Sequence, residues 1–118
     1  MANVVAPAGE RAPRVKVAVV VRLEFATAHA FLVARAIDLS QSGMFIGGEA
    51  VTSLHVGDLV GLRFEVAGER IVEATAKVAR VVLPGGERPA GVGLAFVKMA
   101  KQMEELVGEV VHAQLGDA

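Results

Sequence analysis

Residues 15–25 read VKVAVVVRLEF. Val15, Val17, Val19, Val21, Leu23 and Phe25 alternate with Lys16, Ala18, Val20, Arg22 and Glu24. A period of two places one set on each face of an extended chain, so this stretch predicts a strand with one face buried. Outward from it the pattern repeats. Residues 31–37 form a second apolar segment, residues 44–46 a third, and Val60, Leu62, Phe64 and Val66 mark a fourth. Val72, Ala74, Ala76 and Val78 mark a fifth, and Val92, Leu94 and Phe96 a sixth. Turn chemistry separates them: Asp38-Leu39-Ser40-Gln41-Ser42-Gly43, Gly57-Asp58, Ala67-Gly68-Glu69 and Pro84-Gly85-Gly86. The period then changes. Met99, Met103, Leu106, Val107, Val110 and Val111 share one helical stripe, with Glu104, Glu105 and Glu109 on another face. The expectation is an all-β domain of six short antiparallel strands, closed by one C-terminal helix over about residues 99–115.

A chain of 118 residues fits one domain. Residues 1–13 are rich in Ala, Gly and Pro and carry no period, which predicts a flexible N-terminal arm ahead of a domain over residues 14–118. Apolar residues make up 53% of the chain, yet only five are Phe and none is Trp or Tyr, so the core must be aliphatic. The net charge of −1 argues against a general electrostatic grip on nucleic acid or on an anionic membrane. Any anionic ligand must be held by a local cluster. The absence of Cys excludes disulfides and thiolate chemistry and fits a reducing compartment. Residues 17–21 form the longest apolar run, too short to span a bilayer, and no basic segment precedes a secretory apolar stretch. The sequence therefore predicts a cytoplasmic protein, compatible with a monomer or a homodimer.

Two places carry candidate chemistry. In Asp38-x-Ser40-x-x-Gly43 the side chains of Asp and Ser can bond nearby amides, which makes an ordinary turn. The same carboxylate can accept from the N1 and N2 donors of a guanine, and Gly43 lets a flat base approach the backbone. Arg11 and Arg14, at the end of the arm, form either a solvated basic pair or two guanidinium forks able to close over phosphate or a guanine edge. Other residues predict nothing catalytic. His29, His55 and His112 lack metal-ligand spacing, and Ser40 has no neighbouring His to activate it. Gly91-x-Gly93 precedes a strand, unlike a phosphate loop, and Arg35 and Arg80 are read as outward, solvated side chains.

An arginine-bearing arm before the first strand, D-x-S-x-x-G after the second, Met-Phe-Ile at 44–46, Gly91-Val-Gly93-Leu-Ala-Phe96 and a closing helix together resemble the PilZ domain, over roughly residues 10–112. The resemblance implies a six-stranded barrel that binds cyclic di-GMP as a regulatory ligand, with no cofactor, metal or enzymatic activity. It also implies action on a partner protein in motility, polysaccharide or biofilm control. Arg11, Arg14, Asp38, Ser40, Gly43 and Gly93 are the ligand-binding positions it designates. The family arm carries R-x-x-x-R, and here the pattern departs. Taking Arg14 as the second arginine puts Glu10 in the first slot; taking Arg11 as the first puts Val15 in the second. The alternative implied is a PilZ-like adaptor that works by protein contacts without the dinucleotide.

Overall fold

The computed structural model describes residues 2–3, 13–25, 30–66 and 69–116. Its elements run β1 (Ala2–Asn3), β2 (Val15–Phe25), β3 (Ala30–Leu39), β4 (Gly43–Gly47), a 3₁₀ turn (Ala50–Ser53), β5 (Leu59–Val66), β6 (Arg70–Val82), β7 (Gly91–Ala100) and α1 (Lys101–Gly116). All pairings are antiparallel. Among the described residues, the neighbour order β7-β4-β3-β2-β5-β6 closes through an additional β6–β7 pairing into a six-stranded barrel. Closure leaves few strand edges bare, which a sheet this apolar requires.

The alternation of residues 15–25 behaves as expected. Val21 and Leu23 are fully buried, Val15 nearly so, and Val17, Val19 and Phe25 pack against the core, while Lys16, Ala18, Val20, Arg22 and Glu24 face outward. Val60, Leu62, Phe64 and Val66 enter the same core from β5, and Val72, Ala76 and Val78 from β6. From α1, Leu106, Val107 and Val111 are buried against the barrel, with Met103 and Val110 packed beside them. The Sδ of Met103 accepts a hydrogen bond from the Glu73 amide at 3.2 Å, where β6 runs past the end of its ladder with β7.

Two boundaries differ from the sequence expectation. Met99 belongs to β7, not to the helix. It pairs with Ala74 on β6 and with Asn3 on β1 and is buried in the core. The cause is a bulge: Phe96 and Lys98 face consecutive residues Ala76 and Thr75, leaving Val97 as an extra residue. The inward series 92, 94, 96 therefore continues at 99, and a spacing of three resembles a helical turn. The second difference lies in residues 1–13. Ala2 and Asn3 form a short ladder with Ala100 and Met99, in a segment predicted to have none. Pro7 and Pro13 do not bar it, because both follow the paired residues. Residues 4–12 lie outside the described part, and the flexible-arm expectation for them with it.

Candidate functional site

Two more bulges build one patch on the outer wall of the barrel. On β3, Ala36 and Asp38 face the consecutive residues Ile46 and Phe45 of β4, so Ile37 is extra. Ala36 and Leu39 both point into the core, and Asp38 is turned outward. On β6, Val78 and Arg80 face the consecutive residues Leu94 and Gly93 of β7, so Ala79 is extra. Val78 is buried, Val81 packs against the core, and Arg80 emerges on the outer face. Without these insertions the period of two would drive both charged side chains inward, where an unpaired charge is costly. Bulges commonly re-aim side chains in this way next to functional sites.

The register then sets five residues in one row across five strands. Lys16 faces Asp38, Asp38 faces Phe45, Phe45 faces Gly93, and Gly93 faces Arg80. Gly93 has no side chain to occupy the middle of the row. A Cβ there would lie 2.9 Å from Cγ and Nε of Arg80. The guanidinium uses that space and sits 5.5 Å from the centre of the Phe45 ring, within cation–π range. Gly91 clears the other flank, since a Cβ there would lie 2.9 Å from the same ring.

Arg14 closes the patch from the chain before β2. Its Nη1 donates to Oδ1 of Asp38 at 2.6 Å, with the two side chains 43% and 24% exposed. The same Oδ1 accepts from the Phe45 amide at 3.2 Å, which fixes the carboxylate against β4. Among the described residues Oδ2 has no hydrogen-bond partner. Two hollows flank Arg80. One, of about 290 Å³, is lined by Arg14, Ser42, Gly93 and Leu94 among others. The second, of about 180 Å³, is lined by Lys16, Asp38, Phe45 and Arg88 among others. Four cations, Arg14, Lys16, Arg80 and Arg88, and one carboxylate thus line these two hollows on a protein whose net charge is −1.

The sequence-predicted positions divide. Arg14, Asp38 and Gly93 come together on this face. Ser40 does not reach it: it is 0% exposed and its hydroxyl is consumed by its own turn. Ser40 Oγ accepts from the amides of Ser42 and Gly43, both at 3.2 Å, and lies 3.3 Å from the Gly43 carbonyl, while its own amide donates to that carbonyl at 2.8 Å. Gly43 is buried against β7, where a Cβ would lie 2.0 Å from the Leu94 carbonyl oxygen. These two residues shape the turn and the β4–β7 contact that hold Asp38 and Phe45 in the row. Arg11 and Glu10 lie outside the described residues. Arg80 is exposed, as the sequence suggested, yet it is a central residue of the patch, and Lys16, Phe45 and Arg88 join it. The signal that could have found Arg80 was the shift of the apolar positions from 78 to 81. Arg35 shares neither hollow.

Among the described residues no group of three or more His, Asp or Glu could hold a metal, and no helix is long and apolar enough to cross a membrane. No curated protein matches the chain. Solved structures share its fold at low identity. The Bacillus subtilis inhibitor of motility MotI/DgrA aligns at a TM-score of 0.75 and 16% identity, over 93% of this chain and 53% of that one. The chain thus spans about half the length of that relative. The PilZ domain of CeSA from a cellulose-synthesizing bacterium aligns at 0.64 and 17%, over 86% and 96%. The PilZ domain of Escherichia coli YcgR, solved with cyclic di-GMP, aligns at 0.63 and 15%, over 92% and 93%. The family description that matches is the PilZ domain, over residues 10–113, from the arm through both bulged strands to the closing helix, and the chain belongs to the PilZ domain family.

Proposed function

We propose that this chain binds cyclic di-GMP on the face formed by Arg14, Asp38, Gly93 and Arg80, and that binding changes a surface read by a partner protein. PilZ domains are non-catalytic and take cyclic di-GMP as a regulatory ligand rather than a cofactor. The observation that supports the proposal is the Arg14–Asp38 ion pair at 2.6 Å beside the outward Arg80, which joins the two segments that resemble the family's motifs. Guanidinium groups bind phosphate in a bidentate manner, and the four cations supply the local cluster that the net charge does not. Asp38 offers Oδ2 to the N1 and N2 donors of a guanine while Oδ1 stays anchored. Gly93 and the Arg80 guanidinium plane offer a flat base an approach to the wall. Ligand phosphate competes with Asp38 for Arg14, so binding re-sets the segment that joins the arm to β2. That rearrangement is the signal a partner reads.

Isothermal titration with cyclic di-GMP tests this reading. Native protein should release or absorb heat at one saturable site. Arg80→Ala and Asp38→Ala should each weaken binding by about 1.5–3 kcal/mol, roughly ten- to hundredfold. The second reading, an adaptor that works without the dinucleotide, is favoured by Ser40, whose hydroxyl is committed to its turn. Absence of any saturable heat with native protein would establish the adaptor instead.

A further inference from the structure

The two hollows beside Arg80 differ in what lines them. The one of about 290 Å³ has Arg14 and Arg80 on its walls and, among the described residues, no carboxylate. The one of about 180 Å³ combines Asp38 with Lys16, Arg80 and Arg88. Its other walls are apolar, from Ile37, Phe45, Val82 and Pro89. A phosphate fits the first better, because the second would set it beside a carboxylate and against side chains that cannot hydrate it. Apolar walls carrying a few donors and one acceptor suit the faces and edges of a base.

The cations reach the smaller hollow from different elements. Lys16 stands beside Asp38 as its partner on the β2–β3 ladder. Arg80 is engaged with the Phe45 ring. Arg88 comes from the hairpin tip that leaves the β6–β7 ladder after Val82 and rejoins it at Gly91. That tip is tied down at its base, where the Gly48 amide donates to the Ala90 carbonyl at 2.9 Å. Pro89 restricts the backbone of the preceding Arg88 to extended conformations. Among the described residues neither Lys16 nor Arg88 has an ion-pair partner.

We infer that the smaller hollow reads one guanine of the dinucleotide from two edges, with Arg88 as the specificity-determining residue for O6 and N7. This rests on the dinucleotide reading above and assigns one of its bases a place. Asp38 meets N1 and N2 with Oδ2, the oxygen that has no hydrogen-bond partner among the described residues. O6 and N7 are both acceptors, so the edge that carries them needs a fork of donors. A guanidinium supplies two parallel N–H donors, whereas the Lys16 ammonium is a point charge. Adenine carries an N6 donor where guanine carries O6, so Arg88 also selects against it.

Isothermal titration with two ligands tests the assignment: cyclic di-GMP, and its analogue with C–H in place of N7 in both guanines and the same phosphates. Native protein should bind the analogue about tenfold more weakly. Arg88→Ala should bind cyclic di-GMP at least about tenfold more weakly than native protein and should no longer distinguish the two ligands. Lys16→Ala, which removes a cation from the same hollow, should keep the native ratio. Arg88 and Lys16 are exposed, so both variants should melt within about 2 °C of the native chain. Equal losses of both ligands on Arg88→Ala would overturn the inference, because a phosphate contact does not sense N7. So would equal binding of both ligands by native protein, native-strength binding by Arg88→Ala, or loss of the ratio in Lys16→Ala. All four results require that cyclic di-GMP binds, and they leave the dinucleotide reading standing. Native protein that gives no saturable heat with either ligand would remove that reading, and this inference with it.

Discussion

Arg80 lies over the Phe45 ring because Gly93, its cross-strand partner, has no side chain. A Cβ at Gly93 would meet the flexible Arg80 side chain at 2.9 Å, whereas one at Gly43 would meet the Leu94 carbonyl oxygen at 2.0 Å. The same substitution should therefore act differently at the two sites. Gly93→Ala should displace Arg80, change stability by less than about 1 kcal/mol and weaken cyclic di-GMP binding. Gly43→Ala should destabilise by about 1–3 kcal/mol or more, because backbone cannot yield as a side chain can. Urea denaturation of both variants with titration of the first checks this. A Gly43→Ala protein as stable as the native one would show that β4 and β7 have room to separate.

Asp38 and Ser40 sit two residues apart in one motif and do different work. The carboxylate of Asp38 is partly exposed and paired with Arg14; the hydroxyl of Ser40 is buried and holds two turn amides. Ser40→Ala should cost about 1–3 kcal/mol by leaving buried amides unsatisfied. Asp38→Ala should cost less, since its ion pair is exposed and contributes about 0–1 kcal/mol and it frees one part-buried amide, that of Phe45, rather than two buried ones, but it should weaken the dinucleotide. Thermal melts and titrations on both proteins separate the roles. Similar melting temperatures for the two would contradict this division.

Leu106 is buried where α1 meets the barrel. Truncating such a side chain costs about 2–5 kcal/mol. For a chain of this size that corresponds to a fall in Tm of roughly 8 °C or more for Leu106→Ala. Glu105→Ala, at an exposed position on the same helix, should leave Tm within about 2 °C. An unchanged Tm for Leu106→Ala would mean the helix is not docked as described.

How much of this was legible in the sequence depended on where the period of two held. It holds through β2, β5 and most of β6, so their buried faces could be named residue by residue. It breaks at three bulges, where inward positions step by three: Ala36 to Leu39, Val78 to Val81 and Phe96 to Met99. The last step imitated a helical turn and moved the predicted helix start into β7. The first two carry Asp38 and Arg80 outward; a single strand arginine reads as an ordinary solvated residue, and only the break at 78–81 marks Arg80 as more. The resemblance designates Ser40 for the ligand, and spacing says nothing of whether a hydroxyl faces solvent or, as here, its own turn. That β2 meets β5 only at residues 21–24 could not be read at all, since cross-strand pairing depends on partners far away in the chain.

Glu10 gives the last test, because it occupies the slot in which the family arm carries an arginine when Arg14 is taken as the second. Arg14, the second arginine in that alignment, is placed at the patch by its bond to Asp38. Like charges about 4 Å apart interact by about 4 kcal/mol at an effective dielectric of 20, and solvent and salt reduce this near a surface. Glu10→Arg replaces a repulsion with an attraction and adds a bidentate donor. It should tighten cyclic di-GMP binding at least about tenfold, or create binding where the native chain has none. Adding Asp38→Ala to that variant should weaken binding again by removing the guanine acceptor. Titration of native, Glu10→Arg and double-variant proteins distinguishes the outcomes. No gain from Glu10→Arg means the arm does not approach the ligand as the family arm does. Equal binding by the two variants means Asp38 serves only Arg14 and the Phe45 amide.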